Sequence, residues 1–280
     1  MNGTLHRLSA FTDDPAGGNP AGVWLGEALP DPATMQNIAA EVGYSETVFI
    51  APLNGRTKTV RYYSPLVEIS FCGHATIAAG VLLARTIGEG TFTLDTLVGP
   101  VTVTAITDDE GRLLATLESV PPQQAEASPA LVQEALSALA WSPSELNAQL
   151  PPIKAYAGAW HLILAAGSQS RLSELNYDVP RLKTLMEAEQ LATVQLIYRE
   201  NEDLFRARNP FPTGGVYEDP ATGASAAALG GYLRDAKLVT APFRFTLLQG
   251  EDMGRPSKLE VEVPVTGGIK VSGGAVDIVS

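Results

Sequence analysis

Glu46, His74 and Asp219 are the residues whose local sequence best suits them to hold or move a proton. Glu46 lies in Tyr44-Ser45-Glu46-Thr47-Val48-Phe49, where a loop turns into an apolar strand. A carboxylate there is partly withdrawn from water and suited to shuttle a proton near neutral pH. A surface glutamate that opens a strand fits the same residues. His74 and Asp219 each stand at the mouth of a small-residue run, Cys72-Gly73-His74-Ala75-Thr76-Ile77-Ala78-Ala79-Gly80 and Glu218-Asp219-Pro220-Ala221-Thr222-Gly223-Ala224-Ser225 onward to Gly231. A helix N-terminus biases histidine toward neutral imidazole and aspartate toward its ionised form. Packing of His74 and simple capping by Asp219 are the structural alternatives.

Both runs predict helices made of residues so small that other backbone can approach closely, and their first turns present amides to an anion. Gly73 and Ala75 in one, and Gly223, Ala224 and Ser225 in the other, are therefore candidate binding positions for a carboxylate or a developing enolate. Asn19, held extended before Pro20, can aim its amide at a ligand, and Ser45 stands beside Glu46. The loop Ala16-Gly17-Gly18-Asn19-Pro20-Ala21-Gly22 lacks the Lys-Ser/Thr pair of a nucleotide phosphate loop. His6, His161 and Cys72 have no metal-ligand spacing, so no metal cofactor is expected.

The elements that must position these groups are mostly short strands. Runs at 5–11, 21–25, 47–51, 57–64, 90–96, 101–107 and 113–117 read as β, with helices at 32–42 and 74–87. After Pro121-Pro122 the pattern resumes with a helix at 128–139, a strand pair at 153–166, a helix at 180–188 and strands at 193–198 and 204–209. A second small-residue helix spans 221–235, and strands at 243–248, 258–263 and 268–278 close the chain. Each half thus runs from an Arg/aromatic strand and a proline, through an acidic loop, to a Gly/Ala helix. A helix small or apolar on all sides is buried, so each is expected inside a curled sheet.

The chain has 280 residues, 45% of them hydrophobic, enough for a sizeable core. A net charge of -12 opposes binding to nucleic acid or an anionic membrane. The single cysteine, Cys72, rules out an intramolecular disulfide and suits a reducing, cytoplasmic setting. No signal peptide is read at the N-terminus, and the most apolar run, 75–84, is too short to cross a bilayer.

Phe11-Thr12 through Gly17-Gly18-Asn19-Pro20-Ala21-Gly22-Val23, Ser45-Glu46-Thr47, Phe71-Cys72-Gly73-His74-Ala75-Thr76 and Glu218-Asp219-Pro220-Ala221-Thr222-Gly223 together resemble the PhzF-like isomerase family of phenazine biosynthesis, in order and spacing over nearly the whole chain. The resemblance implies an α+β, diaminopimelate epimerase-like fold: two similar halves, each a barrel-like sheet about a central helix, with the site in the cleft between them. The expected domains are 1–119, completed by a C-terminal strand at 266–280, and 120–265. It also implies a homodimer that needs neither cofactor nor metal. In that family the residue matching Glu46 moves a proton within a cyclohexadiene carboxylate, while those matching His74 and Asp219 hold the substrate.

Related racemases use two cysteines; here Cys72 is matched with Pro220, which leaves no second thiol for that chemistry. The family's serine after Thr-Gly is Ala224 in this chain, with Ser225 one place later, a change able to alter which substrate is accepted. The expectation is a cofactor-independent isomerase of a small carboxylate. A noncatalytic carboxylate-binding protein is the alternative, and an enzyme using Cys72 as its sole thiol a third. Binding a carboxylate needs only the amides, so Glu46, His74 and Asp219 occurring together favour catalysis.

Overall fold

The computed structural model describes residues 3–278, and their contacts divide the chain into two compact units. One runs to Glu118 and takes back the segment from Ser272; the other is Ser119–Val271.

In the first unit, β1 (Gly3–Ala10) and β2 (Asn19–Gly26) are antiparallel, with Ala10 opposite Asn19. Helix α1 (Pro32–Val42) starts where the Asp31 side chain accepts the Thr34 amide and stops at Gly43, whose left-handed φ of 71° suits glycine. Strand β3 (Glu46–Ala51) returns parallel to β2, which sets Ala21 opposite Glu46. Strand β4 (Thr57–Tyr63) runs antiparallel to β3, and the short β5 (Glu68–Ile69) folds back on it. Helix α2 (Gly73–Ile87) follows, then β6 (Gly90–Thr96) parallel to β4, and β7 (Gly99–Thr107) and β8 (Leu113–Glu118) as an antiparallel meander.

The second unit repeats this order. Strand β9 (Gln123–Glu126) pairs with β10 (Ile153–Tyr156) across helix α3 (Pro129–Leu139), and β10 pairs antiparallel with β11 (Trp160–Ala165). Helices α4 (Gln169–Ser173) and α5 (Val179–Ala188) lead to β12 (Thr193–Arg199), parallel to β11. Strand β13 (Leu204–Pro210), the short β14 (Glu218–Asp219), helix α6 (Gly223–Asp235), β15 (Phe243–Gln249) parallel to β13, and β16 (Ser257–Val263) then match β4 to β7. Strands β17 (Lys270–Gly273) and β18 (Ala275–Asp277) end the described chain, and β18 pairs with β1. The architecture is α+β, as expected, and its sheet mixes parallel with antiparallel pairs.

Each small-residue helix is the axis of its unit. From His74 to Ala84 every residue of α2 is buried, against β1, β2, β3, β7, β8 and β18. A Cβ on Gly80 would lie 2.8 Å from Val103 Cγ2, so only glycine lets that strand approach. Gly230 is its counterpart in α6, where a Cβ would lie 2.9 Å from Ile269 Cγ2. The outer faces of β11 and β12 carry Leu162, Leu164, Val194 and Leu196 into a core with Leu131, Leu136, Leu182 and Met186 of α3 and α5. Burying each such side chain contributes about 1.5–3 kcal/mol.

Two sequence expectations change. Helix α6 opens at Gly223, not Ala221, because Pro220 and Ala221 remain in the turn that leaves β14. The counterpart of Cys72 is consequently Thr222, not Pro220: each precedes the first helical glycine, and Glu68–Ile69 precedes Gly73 as Glu218–Asp219 precedes Gly223.

Candidate active site

In the first unit the parallel pairing of β2 and β3 brings Asn19 and Glu46 to the same end of adjacent strands, where α2 begins. The approach to Asn19 requires glycine. Gly18 has φ +66°, and a Cβ on it would lie 2.4 Å from the Ala10 carbonyl oxygen. Glu46 Oε2 stands 3.4 Å from His74 Nε2, with the carboxylate side chain 16% exposed and the imidazole 7%. On the other side of the ring, Asn19 Nδ2 lies 3.2 Å from His74 Nδ1. An amide nitrogen only donates, so Nδ1 accepts and a neutral ring carries its proton on Nε2, facing Glu46.

Cys72, whose spacing signalled no ligand set, joins the group with Sγ 3.3 Å from His74 Nδ1. Its carbonyl is held from two directions by Thr76, whose amide donates at 3.1 Å and whose hydroxyl donates at 2.6 Å. With its proton used there, the Thr76 hydroxyl accepts from the Tyr62 hydroxyl at 2.7 Å. Burial raises the Tyr62 pKa well above the ordinary phenol range, so that phenol stays a donor. The chain from Tyr62 to Thr76 to Cys72 fixes the first turn of α2. No side chain caps this turn, and a Cβ on Gly73 would meet nothing within 4 Å. The amides of Gly73, His74 and Ala75 precede the first intrahelical acceptor bond, from the Thr76 amide to the Cys72 carbonyl. Ser45 is half-buried, one residue before Glu46.

The other predicted residues are in the second unit. Asp219, opposite Asn209 in the β13–β14 pair, accepts the Thr222 hydroxyl at Oδ2 over 2.5 Å. Gln249, buried at the end of β15, ties the turn together. Its Nε2 donates to the Asp219 carbonyl at 2.7 Å and to Thr222 Oγ1 at 3.0 Å, and its Oε1 accepts the Thr222 amide at 3.2 Å. No motif marks Gln249; only the parallel pairing of β13 and β15 brings it here. Helix α6 also lacks a side-chain cap, and Gly223 and Ala224 are half-buried at its first turn. Ser225 is fully buried and donates its hydroxyl to the Thr222 carbonyl at 3.0 Å, so it leaves only its amide at the helix end. Ala224 stands in α6 where His74 stands in α2, each directly after the first glycine.

Two polar clusters were missed by sequence reasoning. Glu218 forms a buried two-pronged pair with Arg208, at 2.9 and 2.5 Å. Thr193 Oγ1 donates to Asn209 Oδ1 at 2.9 Å and is 2.8 Å from His161 Nδ1, which must therefore carry the proton. Burial pushes the His161 pKa down to about 3, so this imidazole is neutral. As for metals, Glu46, Cys72 and His74 offer ligand atoms all within 4.8 Å of one another.

The sequence profile of the family described as phenazine biosynthesis-like protein matches residues 8–280. An uncharacterized isomerase of Deinococcus radiodurans is 33% identical over 267 residues, covering 93% of this chain and 86% of the relative. The trans-2,3-dihydro-3-hydroxyanthranilate isomerase of Pseudomonas aeruginosa is 28% identical over 262 residues, covering 91% and 89%. Among solved structures, a PhzF-family phenazine biosynthesis protein of Bacillus anthracis superposes with a TM-score of 0.88 at 21% identity, over 100% of this chain and 98% of the other. A probable proline racemase of Agrobacterium radiobacter K84 reaches 0.64 at 15% identity, over 99% and 91%. These two likenesses show the diaminopimelate epimerase-like fold. No helix among the described residues is long and apolar enough to cross a membrane. With the family profile running from residue 8 to the end and the curated relatives named as isomerases, the chain belongs to the PhzF-like phenazine-biosynthesis family and is one of its isomerases.

Proposed function

We propose that this isomerase moves a proton between two carbons of a small carboxylate substrate, with Glu46 as the acid/base. The contact between Glu46 Oε2 and His74 Nε2 carries the reading: a little-exposed carboxylate is oriented by an imidazole that Asn19 holds from behind. In this mechanism Glu46 takes a proton from a carbon made acidic by neighbouring unsaturation and returns it elsewhere on the same molecule. The amides of Gly73 to Ala75 supply donors for the substrate carboxylate or developing enolate, a stabilisation of about 3–4 kcal/mol per well-placed donor. Asp219, Ser45 and the amides of Gly223 to Ser225 are assigned to holding the substrate. A protein that only bound a carboxylate would have no use for the packed Glu46, His74 and Asn19 set. From the family resemblance we also propose a homodimer, for which light scattering should give the mass of two chains, and from the single cysteine a cytoplasmic setting.

The first compound to test is trans-2,3-dihydro-3-hydroxyanthranilate, named for the Pseudomonas relative, followed by other small unsaturated ring carboxylates. The alanine at position 224, where the family has serine, makes a different ring substituent the expected preference. Turnover in deuterated water, followed by NMR, should place deuterium at the acceptor carbon as the Glu46 proton exchanges. Glu46→Gln should lower the rate by about 10²–10⁴-fold. Full activity in that variant would remove Glu46 as the base.

A further inference from the structure

Thr76 and Tyr62 grip the peptide group that joins Cys72 to the start of α2. The Cys72 carbonyl accepts the Thr76 amide at 3.1 Å and the Thr76 hydroxyl at 2.6 Å, and the Tyr62 hydroxyl donates to Thr76 Oγ1 at 2.7 Å. Both side chains are buried, and the Tyr62 ring meets Phe71 edge-on with centroids 5.6 Å apart, so Tyr62 contacts the chain on both sides of Cys72. Stability alone does not call for these hydroxyls. A threonine bonded to the carbonyl four residues back adds little to a helix, and a phenylalanine over a valine would fill the same space at nearly equal stability. The second repeat lacks the device. Asn209, opposite Asp219 as Tyr62 is opposite Ile69, stands in the place of the tyrosine and accepts from Thr193 instead. Ala226, three residues past its helical glycine as Thr76 is, has no hydroxyl. Of the two repeats, the one with the hydroxyl pair is the one in which an imidazole follows that glycine, His74 in α2 against Ala224 in α6.

We infer that Tyr62 and Thr76 are positioning residues of the isomerase: through the Cys72–Gly73 peptide they set the first turn of α2 so that the His74 imidazole meets Glu46. His74 lies midway between the two gripped residues, Cys72 and Thr76. Its ring has a partner on each nitrogen, Glu46 Oε2 at 3.4 Å from Nε2 and Asn19 Nδ2 at 3.2 Å from Nδ1. Those partners come from β3 and β2, so the ring meets both only if the turn that carries it is fixed against the sheet. Tyr62 supplies that tether from β4, where it stands opposite Val48 of β3. A turn free to rotate would cost one nitrogen its partner, and a misplacement of about 1 Å can lower a rate by about 10²-fold. The effect on catalysis rests on the acid/base reading of Glu46; the placement of the imidazole does not.

The test is nitrogen-15 NMR of the full protein labelled at its three histidines, with the His74 signals assigned by their loss in His74→Gln. At alkaline pH the wild type should show one His74 tautomer, protonated on Nε2, as two well-separated nitrogen shifts. In Tyr62→Phe/Thr76→Val, which should unfold in urea close to the wild type, the tautomers should mix and that separation narrow. With the active carboxylate, kcat of the double variant should fall at least about tenfold while KM stays within about twofold. Thr76→Ser, which keeps the hydroxyl, should match the wild type in both readouts. Unchanged His74 shifts in the folded double variant overturn the inference, whatever happens to kcat. If the double variant misfolds, Tyr62→Phe alone decides: the Thr76 hydroxyl loses its tether, a smaller narrowing is expected, and none overturns the inference. Narrowed shifts with wild-type kcat would refute the effect on catalysis. Full activity of Glu46→Gln would instead remove the base and leave the NMR result standing.

Discussion

Cys72 and Thr222 occupy the same place in the two structural repeats: each precedes the glycine that opens a central helix, and neither caps that helix with its side chain. Where a two-thiol racemase needs a second sulfur, this chain has a hydroxyl. That hydroxyl is already engaged, donating to Asp219 Oδ2 and accepting from Gln249 Nε2. Thr222→Val keeps the shape and removes both bonds, leaving a carboxylate oxygen and a buried amide short of partners. A loss of about 1–3 kcal/mol in urea denaturation is expected, with Thr222→Ser close to wild type. Equal stability of the valine and serine variants would show that the hydroxyl does not hold the turn.

The thiol at Cys72 touches His74 but has no partner sulfur to receive a proton from. With the dihydrohydroxyanthranilate or whichever carboxylate proves active, Cys72→Ala is expected to keep turnover within about tenfold of wild type, against the 10²–10⁴-fold loss for Glu46→Gln. The reverse order of effects would make Cys72 the acid/base and demote Glu46 to an orienting role.

His161 provides a pH signature of the second unit. In the unfolded chain its imidazole takes up a proton near the ordinary value of 6.5, but in the fold burial delays this to about 3. Between those values the unfolded state binds more protons, so stability falls as pH falls. A group of this kind contributes a slope approaching about 1.4 kcal/mol per pH unit. The stretch from pH 6.5 down to about 5 is the informative one, because carboxylates held below their ordinary values, such as Glu262 hydrogen-bonded to Lys270, lose their contribution lower down. His161→Gln should flatten the slope of unfolding free energy in that stretch. An unchanged slope would mean that the buried imidazole titrates in the fold after all.

The parts of this molecule legible in the sequence are those whose signal is local. The β-branched runs and the two Gly/Ala helices are written in consecutive residues, and Glu46, His74 and Asn19 carried motif context. Gln249 and Arg208 had none: Gln249 acquires its role only when β15 pairs with the distant β13, and Arg208 only when the two-residue β14 folds back on β13. The strands Glu68–Ile69 and Glu218–Asp219 are too short to show an alternation, although they set the register of both helix starts. Only with those helix starts fixed at Gly73 and Gly223 does Cys72 match Thr222 and not Pro220. Likewise the approach of Cys72 to Glu46 depends on the packing of α2 against β3, which chain spacing does not encode.

Arg208 and Glu218 form a buried ion pair in the second unit, with side chains 9% and 3% accessible. Burial opposes the guanidinium charge, but the hydrogen bonds and charge of Glu218 outweigh it and lift the Arg208 pKa above its ordinary value. Arg208 also donates to the Ser173 carbonyl at 2.7 Å, so the pair fastens β14 to the end of α4 as well as to β13. Removing one partner strands a buried charge: Arg208→Met or Glu218→Leu should each cost about 3–5 kcal/mol, and the double replacement less than either alone. Because Glu218 is joined directly to Asp219, each single variant should also loosen the Asp219–Thr222 turn, raising KM more than it lowers kcat if Asp219 holds substrate. Single losses below about 1 kcal/mol in urea melts would instead place this pair with ordinary surface salt bridges and leave β14 held by Gln249.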